Sequence, residues 1–387
     1  MSEWTKVRIG DLCKTNTKSY SPKEGWTFVN YLDTGNITKN VVDKVQYIDL
    51  SKEKLPSRAK RKVQHNSVLF STVRPNQLHY GIIKSQPENF LVSTGFAVMD
   101  ADAERLDPDY FYYLLSSNEI VEGLHAIAEQ STSAYPSIKP SDIENLEVDV
   151  PDIKTQRKIS AVLVSIDEKI HSNTEINKNL QAQAQTIYQH MIIDNADDSW
   201  TPGVLSDIAV ITMGQSPKGE SYNENGIGTV FFQGRAEFGF RFPTRRLYTT
   251  DPKRMAKAND ALMSVRAPVG DMNVAYEDCC IGRGLGAIRS KDGHQSFVLY
   301  TMLALREQLN VFNGEGTVFG SINRDALNSM PIDIPPREIM EQFEDIVAPM
   351  DAEIRNNYDE ICRLQALRDS LLPRLMSGEL DISELDI

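Results

Sequence analysis

The amino-acid sequence runs through the same set of landmarks two times, and this limits the fold more than any single motif. Trp4-Thr5 opens the first run and Trp200-Thr201 the second, and Asp11-Leu12 answers to Asp207-Ile208. Leu69-Phe70-Ser71 answers to Leu262-Met263-Ser264, with Arg74 and Arg266 close behind at matching places. From Ser137 onward the offset is a constant 184 residues, so Ser137-Ile138 becomes Ser321-Ile322 and Asp149-Val150-Pro151 becomes Asp333-Ile334-Pro335. Asp167, Ile170, Asn173 and Leu180 likewise become Asp351, Ile354, Asn357 and Leu364. A chain duplicated in this way folds into a body with a pseudo-two-fold internal repeat, which suits a partner with two similar halves.

Each copy divides into a globular part and a helical part. The helical parts carry the clearest periodicity. Ile159, Leu163, Ile166, Ile170, Asn173, Asn177, Leu180, Ala184, Ile187 and Met191 alternate in steps of 4 and 3. Phe343, Val347, Met350, Ile354, Asn357, Ile361, Leu364, Arg368, Leu371 and Leu375 repeat that spacing. A sustained a/d seam of this kind predicts two long coiled-coil helices, which most simply pair antiparallel. Pairing within one chain or between chains stays open at this level. Pro151 and Pro335-Pro336 precede the helices, and Gly378 suits a C-terminal stop. Pro349 and Pro373 leave room for a kink or a short second helix. Asn173 and Asn357 share a seam position; each is either a register-fixing polar residue or one merely tolerated there.

The globular parts read as mixed α/β (α+β). Ser67–Thr72 and Tyr80–Lys84 are predicted strands between Gly, Pro and Asn turns, and Asp107–Ser117 is a predicted helix opened by a proline. The second globular part, richer in glycine, is expected to hold more loop. The predicted segments are 1–150, 151–198, 199–335 and 336–387.

At 387 residues, with 41% apolar and 25% charged residues, the chain is that of a folded protein of two or three domains. Its start is polar, no stretch approaches the roughly 20 apolar residues of a membrane span, and a cytoplasmic location is expected. Cys13, Cys279, Cys280 and Cys362 form no C-x-x-C pair, which points to free thiols in a reducing compartment. The six histidines lack metal-ligand spacing, so no metal is expected. The net charge of −13 argues against a generic nucleic-acid binder, but its distribution weakens that objection. Residues 1–90 hold 15 Lys/Arg against 8 Asp/Glu, whereas residues 91–150 hold 2 against 12 and residues 336–387 hold 5 against 13. Such a molecule can present a basic face while staying soluble.

The order of these parts resembles the specificity subunit of type I restriction-modification systems. Each copy opens with a short W-x-x-x-x-[IL]-x-D-[LI] segment, and Lys60-Arg61 or Lys253-Arg254 then leads into an L-x-S strand with an arginine beyond it. A glycine turn follows at Gly95 or Gly284, then a helix, a Ser-Ile step, the D-[VI]-P run and a long helix. Single motifs are short, but their repeated order is specific and covers essentially the whole chain. The resemblance implies two target-recognition domains, at 1–150 and 199–335, each reading one half of a split sequence in double-stranded DNA. It implies that the spacer helices set the gap and dock the modification (methyltransferase) subunits, and that a restriction (motor-nuclease) subunit completes the complex. No cofactor is implied for this chain; S-adenosylmethionine, ATP and Mg belong to the partners. The assembled complex would be an adenine-specific DNA methyltransferase and an ATP-dependent site-specific deoxyribonuclease.

Phosphate contact needs Lys and Arg, and base reading needs Arg, Asn or Gln in a groove. The first basic cluster, Lys52 to Lys62, contains Lys60 and Arg61. The second, Arg235 to Lys257, contains Arg235, Arg241, Arg245, Arg246 and Arg254, interleaved with Phe238, Phe240, Phe242 and Tyr248 that serve either core packing or groove contact. Arg74, Asn76 and Gln77, with Arg266, follow a strand in each copy and suit base-edge reading; the plainer alternative is a loop arginine paired with a carboxylate.

Two patterns imitate enzymes. Phe312–Gly316 has the look of a methyl-donor loop, but its counterpart, Ala128–Thr132, has no glycine and no catalytic Asn/Asp-Pro-Pro-aromatic motif accompanies it. Pro151-Asp152 with Asp167-Glu168-Lys169 imitates a metal-dependent nuclease, yet Asp167 and Lys169 fall inside a heptad helix and the second copy loses the pattern. No catalytic residue is expected, and no Walker A loop is present. The competing function is a coiled-coil protein-binding scaffold whose basic clusters are solvated surface.

Overall fold

The computed structural model describes residues 4–131, 135–197, 200–314 and 320–382. The chain forms two compact units, Met1–Ser172 with Glu360–Ile387, and Asn173–Asp359. Each unit therefore takes in one globular part and a piece of both long helices.

The first unit opens with β1 (Thr5–Arg8), β2 (Cys13–Thr15), β3 (Phe28–Leu32), a hairpin of β4 (Ile37–Thr38) and β5 (Val41–Val42), and β6 (Gln46–Asp49). Then come β7 (Ala59–Arg61), β8 (Val68–Ser71), β9 (Tyr80–Ile82), β10 (Phe90–Ser93) and β11 (Phe96–Ala101). Helices α1 (Pro108–Ser116), α2 (Asn118–Glu129) and α3 (Pro140–Glu144), strand β12 (Glu147–Val150) and the long helix α4 (Ile153–Tyr188) follow. The predicted strands are β8 and β9, and the predicted helix is α1, whose Asp107 cap accepts from the Tyr110 amide at 3.0 Å.

Two four-stranded sheets, in the orders β2-β11-β8-β9 and β6-β3-β10-β7, make up the first globular part. Every residue of β8 is buried because both faces of its sheet are covered. Val68 and Phe70 point to a core shared with Tyr110 and Phe111 of α1, while Leu69 alternates into a second core with Leu32, Val92 and Phe96. A large apolar side chain fully buried this way contributes about 1.5–3 kcal/mol.

The second unit repeats this design. It contains β13 (Thr201–Val204), α5 (Leu205–Ile208), β14 (Ala209–Met213), β15 (Tyr222–Asn223), β16 (Thr229–Phe232), β17 (Leu247–Thr249) and β18 (Met255–Ala256). Next are β19 (Ala261–Ser264), β20 (Met272–Val274), β21 (Cys279–Ile281), β22 (Leu285–Ser290), α6 (Gln295–Ala304) and α7 (Arg306–Leu309). Last come α8 (Arg324–Asn328), β23 (Pro331–Ile334) and the long helix α9 (Arg337–Met376). Its sheets run β14-β22-β19-β20 and β15-β17-β16-β21-β18, so the part expected to hold more loop has a five-stranded sheet made of short strands. Parallel pairing recurs at the same place, β10 with β3 and β21 with β16. An antiparallel ribbon closes each globular part, with Thr5 opposite Val150 and Thr201 opposite Ile334.

The helices of 36 and 40 residues are about 54 and 60 Å long at about 1.5 Å per residue. Asp152 starts the first by accepting from the Lys154 amide at 2.9 Å and the Thr155 hydroxyl at 2.7 Å. The second runs unbroken through Pro349 and Pro373. A proline removes one helical donor and crowds the preceding turn, yet Val347 and Ile354 on either side of Pro349 are fully buried and hold that face in place. At the C-terminus Gly378 takes a left-handed φ of 74°, and a Cβ there would meet the Trp4 indole at 2.8 Å.

Within each unit the two helical segments pair antiparallel inside one chain. In the second, Tyr188 packs edge-on to Phe343, while Asn177 lies beside Ile354 and Asn357. The buried amide pair is Asn177 with Asn357: Asn357 donates to the Asn177 Oδ1 at 3.0 Å, and Asn177 donates to the Ile354 carbonyl at 3.2 Å. In an antiparallel pair equal seam positions face one another only at the pseudo-dyad, and here Asn357 bonds to Asn177, one step along the seam from Asn173. Asn173 is itself buried.

Candidate nucleic-acid interface

The two globular parts can be aligned through their ladders. Val92 of β10 pairs with Leu32 and Arg61, and Ile281 of β21 pairs with Phe232 and, through its amide, the Arg254 carbonyl. Arg61 and Arg254 are thus structural counterparts. Past these strands, the Thr72 amide donates to the Gly95 carbonyl and the Val265 amide to the Gly284 carbonyl, each at roughly the same depth in its sheet. The next residues bridge to the Ser-Ile step, Val73 to Ser137 and Arg266 to Ser321. The counterpart of Arg266 is therefore Val73, and Arg74 lies one residue further on. The sequence match was out by one because the loops after β8 and β19 differ in length and geometry.

On the first unit, Lys60 is exposed and Arg61 half-buried. Burial lowers the Arg61 guanidinium pKa, and its Nε is enclosed without a hydrogen-bond partner. Arg74 holds a left-handed φ of 48° ahead of a 3-10 turn over Pro75–Gln77, and Leu78 closes that turn at φ 60°. Such conformations cost about 1–3 kcal/mol each in non-glycine residues and persist where the surroundings enforce them. Here the Arg74 amide is tied to the Pro136 carbonyl at 2.9 Å, and its guanidinium lies 4.9 Å from the Tyr135 ring centre. Asn76 and Gln77 project from the turn as exposed side chains. Among the described residues neither Lys60 nor Arg74 has a carboxylate within ion-pair range. Of their neighbours, Lys62 is held by Glu24 and lies 5.0 Å from the Trp26 ring.

The second basic cluster is largely neutralised by its own domain. Arg235 and Arg306 share Asp271, Arg245 pairs with Glu277, and Arg246 pairs with Glu237 at 2.6 Å. Bonding to Glu237 raises the Arg246 pKa further. Arg241 departs from the sequence expectation altogether. Its side chain is 6% exposed and donates to Asp351 of α9 and to the Tyr300 hydroxyl at 3.0 Å, which removes it from any surface a duplex could reach. Phe242 beside it is buried against Tyr276 and Tyr358, whereas Phe240 stays half-exposed.

Three further arginines of this unit, Arg254, Arg266 and Arg283, flank one turn. Arg254 is exposed just ahead of β18, Arg266 follows β19, and Arg283 lies between Gly282 and Gly284 in the link from β21 to β22. The ladder sets Arg254 next to Ile281 on one side of this link and Val265-Arg266 next to Gly284 on the other. None of the three has a carboxylate in ion-pair range among the described residues. Arg254 and Arg266 are expected from the sequence, and Arg283 is an addition from the structure. Its signal was a lone arginine between two glycines, at the turn already recognised from Gly284.

The enzyme-like patterns are absorbed into structural roles. Asp152 caps α4, Asp167 accepts from Tyr113 at 2.6 Å and from Arg368 at 2.7 Å, and Lys169 pairs with Glu360 at 3.4 Å. Asn313 of the glycine loop accepts from the Val269 amide at 2.6 Å, while Glu315, Gly316 and, in the other copy, Thr132 lie outside the described residues. Among the described residues no group of three or more His, Cys, Asp or Glu could hold a metal ion, and no helix is long and apolar enough to cross a membrane. Cys13, Cys279 and Cys280 are buried free thiols, and Cys362 is exposed.

Two like-built α/β heads, each closed by a ribbon at the start of a long helix, define a duplicated recognition-type protein without a recognisable catalytic centre among the described residues. The family model described as "Type I restriction modification DNA specificity domain" matches residues 1–182 and 197–362, and the chain belongs to this family of type I specificity subunits. It is 26% identical to a putative type I restriction enzyme MjaX specificity subunit of Methanocaldococcus jannaschii, covering 98% of this chain and 94% of the relative. It is 23% identical to the type I restriction enzyme HindI specificity subunit of Haemophilus influenzae, covering 98% of this chain and all of the relative (100%). Among solved structures, the type I restriction-modification S subunit of M. genitalium shares the fold with a TM-score of 0.62 at 16% identity, covering 97% of this chain and 96% of that one.

Proposed function

We propose that this chain is the non-catalytic DNA-recognition subunit of a type I restriction-modification complex, with each globular part reading one half of a bipartite sequence in double-stranded DNA. Family membership over both copies supports the reading. The single observation that carries it furthest is the recurrence, on two like-built heads, of arginines without carboxylate partners among the described residues beside equivalent turns: Arg74, half-buried, on one, and Arg254 and Arg266, both exposed, on the other. Residues 1–150 and 199–335 serve as the reading domains in this proposal, and residues 151–198 and 336–387 as spacers that set the gap and dock the modification subunits. Lys60, Arg61, Arg74, Asn76 and Gln77 contact the first half-site, and Arg254 and Arg266 the second. Arg235, Arg245 and Arg246 contribute through their ion-paired outer faces. Methyl transfer to adenine and ATP-dependent cleavage, with S-adenosylmethionine, ATP and Mg, reside in the modification and restriction subunits, and the complex works in the cytoplasm.

The test is long-read methylation sequencing of cells that co-express this chain with the modification subunit encoded beside it. Modified adenine at one split motif with a fixed gap is the expected result. A soluble complex that adds no motif, together with DNA binding that lacks sequence preference, would replace this reading with that of a protein-binding scaffold.

A further inference from the structure

The second globular part is electrically balanced, with 14 Lys/Arg and 14 Asp/Glu in residues 199–335. Most of its basic side chains are consumed internally: Arg289 forks onto Asp260 at 2.7 and 2.9 Å, Lys257 pairs with Asp278 at 2.6 Å, and Lys253 with Asp251 at 2.7 Å. General attraction to phosphates is therefore weak here, and recognition must rest on few side chains. The link between β21 and β22 supplies one on an unusually fixed backbone. A Cβ on Gly282 would come within 2.8 Å of the Gln233 Cα, and one on Gly284 within 2.8 Å of the Gln233 carbonyl oxygen. A Cβ on Gly214 would strike the Gly282 carbonyl oxygen at 2.1 Å. Three backbone segments thus touch with no side chains between them. The amide of Arg283 is held by the Ser216 hydroxyl at 3.2 Å. Arg283 alone puts a side chain out of this link, exposed, between Arg254 and Arg266.

We propose that Arg283 is the specificity-determining residue of the second domain, its guanidinium fork donating to the O6 and N7 of a guanine in the second half-site while Arg254 and Arg266 hold the flanking phosphates. A fixed turn leaves no backbone to order on binding, the planar fork loses less freedom per hydrogen bond than a lysine does, and two donors side by side match guanine in the major groove. A lysine keeps the charge but not the fork. The first domain has Thr94 at the corresponding place, before Gly95, so the two heads read different bases on a common frame.

This inference rests on the recognition role proposed above, and the experiment separates the two. The full chain, as wild type, Arg283→Lys and Arg283→Ala, is co-expressed with its modification subunit and methylated adenines are mapped. In the wild type, a split motif with a guanine in one half is expected; the absence of any split motif would overturn the recognition role itself, and a split motif without a G·C pair in the second half would overturn this inference alone. In Arg283→Lys, preference for guanine at one position of one half-site falls at least about tenfold while the other half-site is unchanged. Arg283→Lys decides the matter even where Arg283→Ala silences the complex. An unchanged motif in Arg283→Lys, whether methylation stays at wild-type level or drops evenly over all sites, makes Arg283 at most a phosphate contact and overturns the inference.

Discussion

Two arginines of the second unit, equal in sequence terms, have opposite consequences on mutation. Arg241→Ala strips Asp351 of its cation and leaves a carboxylate, 21% exposed, with only the Tyr300 hydroxyl at 3.0 Å. Breaking a buried pair in this way costs about 3 kcal/mol, read as a lower urea midpoint. Arg254→Ala leaves the unfolding midpoint in place and weakens DNA binding, reducing the slope of log K against log salt by about one. Loss of binding in both variants with stability unchanged in both would contradict a structural role for Arg241. A string of letters shows that both are arginines near aromatics; only the fold shows which one is sealed against a helix. The cysteines follow the same logic. Burial raises the thiol of Cys13 to about 11 and that of Cys279 to about 12. A thiol reagent at pH 8 should therefore modify Cys362 rapidly and the buried thiols only on unfolding. As pH rises past the ordinary thiol value near about 8.5, the unfolded chain gives up these protons and the folded chain does not. Stability present below that value is thus lost between there and about 12, which pH-dependent urea melts would detect.

At the scale of elements, the long helices were the most legible feature and the sheets the least. Steps of 4 and 3 announced the seam, and Ile159, Leu163, Phe343, Val347 and Ile354 are indeed fully or almost fully buried along it. Strands of two to six residues, separated by glycine and asparagine turns, give too little periodicity to reveal sheet order or the parallel pairs β3–β10 and β16–β21. The amide partner was missed for a geometric reason: sequence identity of position does not specify which residues face each other across an antiparallel pair. Asn357→Ala should cost about 1–2 kcal/mol, because it leaves the Asn177 Oδ1 without its donor. Asn177→Ala together with Asn357→Ala should cost less than the two single changes added, and a cycle of urea melts that proved additive would remove the coupling.

For the molecule as a whole, the boundary between the two compact units crosses each long helix once, between Ser172 and Asn173 and between Asp359 and Glu360. Inserting one heptad at both points lengthens the spacer by about 10 Å at about 1.5 Å per residue. That corresponds to about three base pairs at about 3.4 Å each along a strand. The mapped motif should gain such a gap with both half-sites unaltered; a change in the half-sites themselves would end the spacer role. The chain also enters and leaves each head through neighbouring strands, Thr5 against Val150 and Thr201 against Ile334, with four residue pairs in each ribbon. A head is thus grafted on two adjoining stalks, and everything between them is a cassette. Genetic exchange with crossovers at those stalks would replace what a lineage reads while its scaffold, and every partner fitted to that scaffold, is inherited intact.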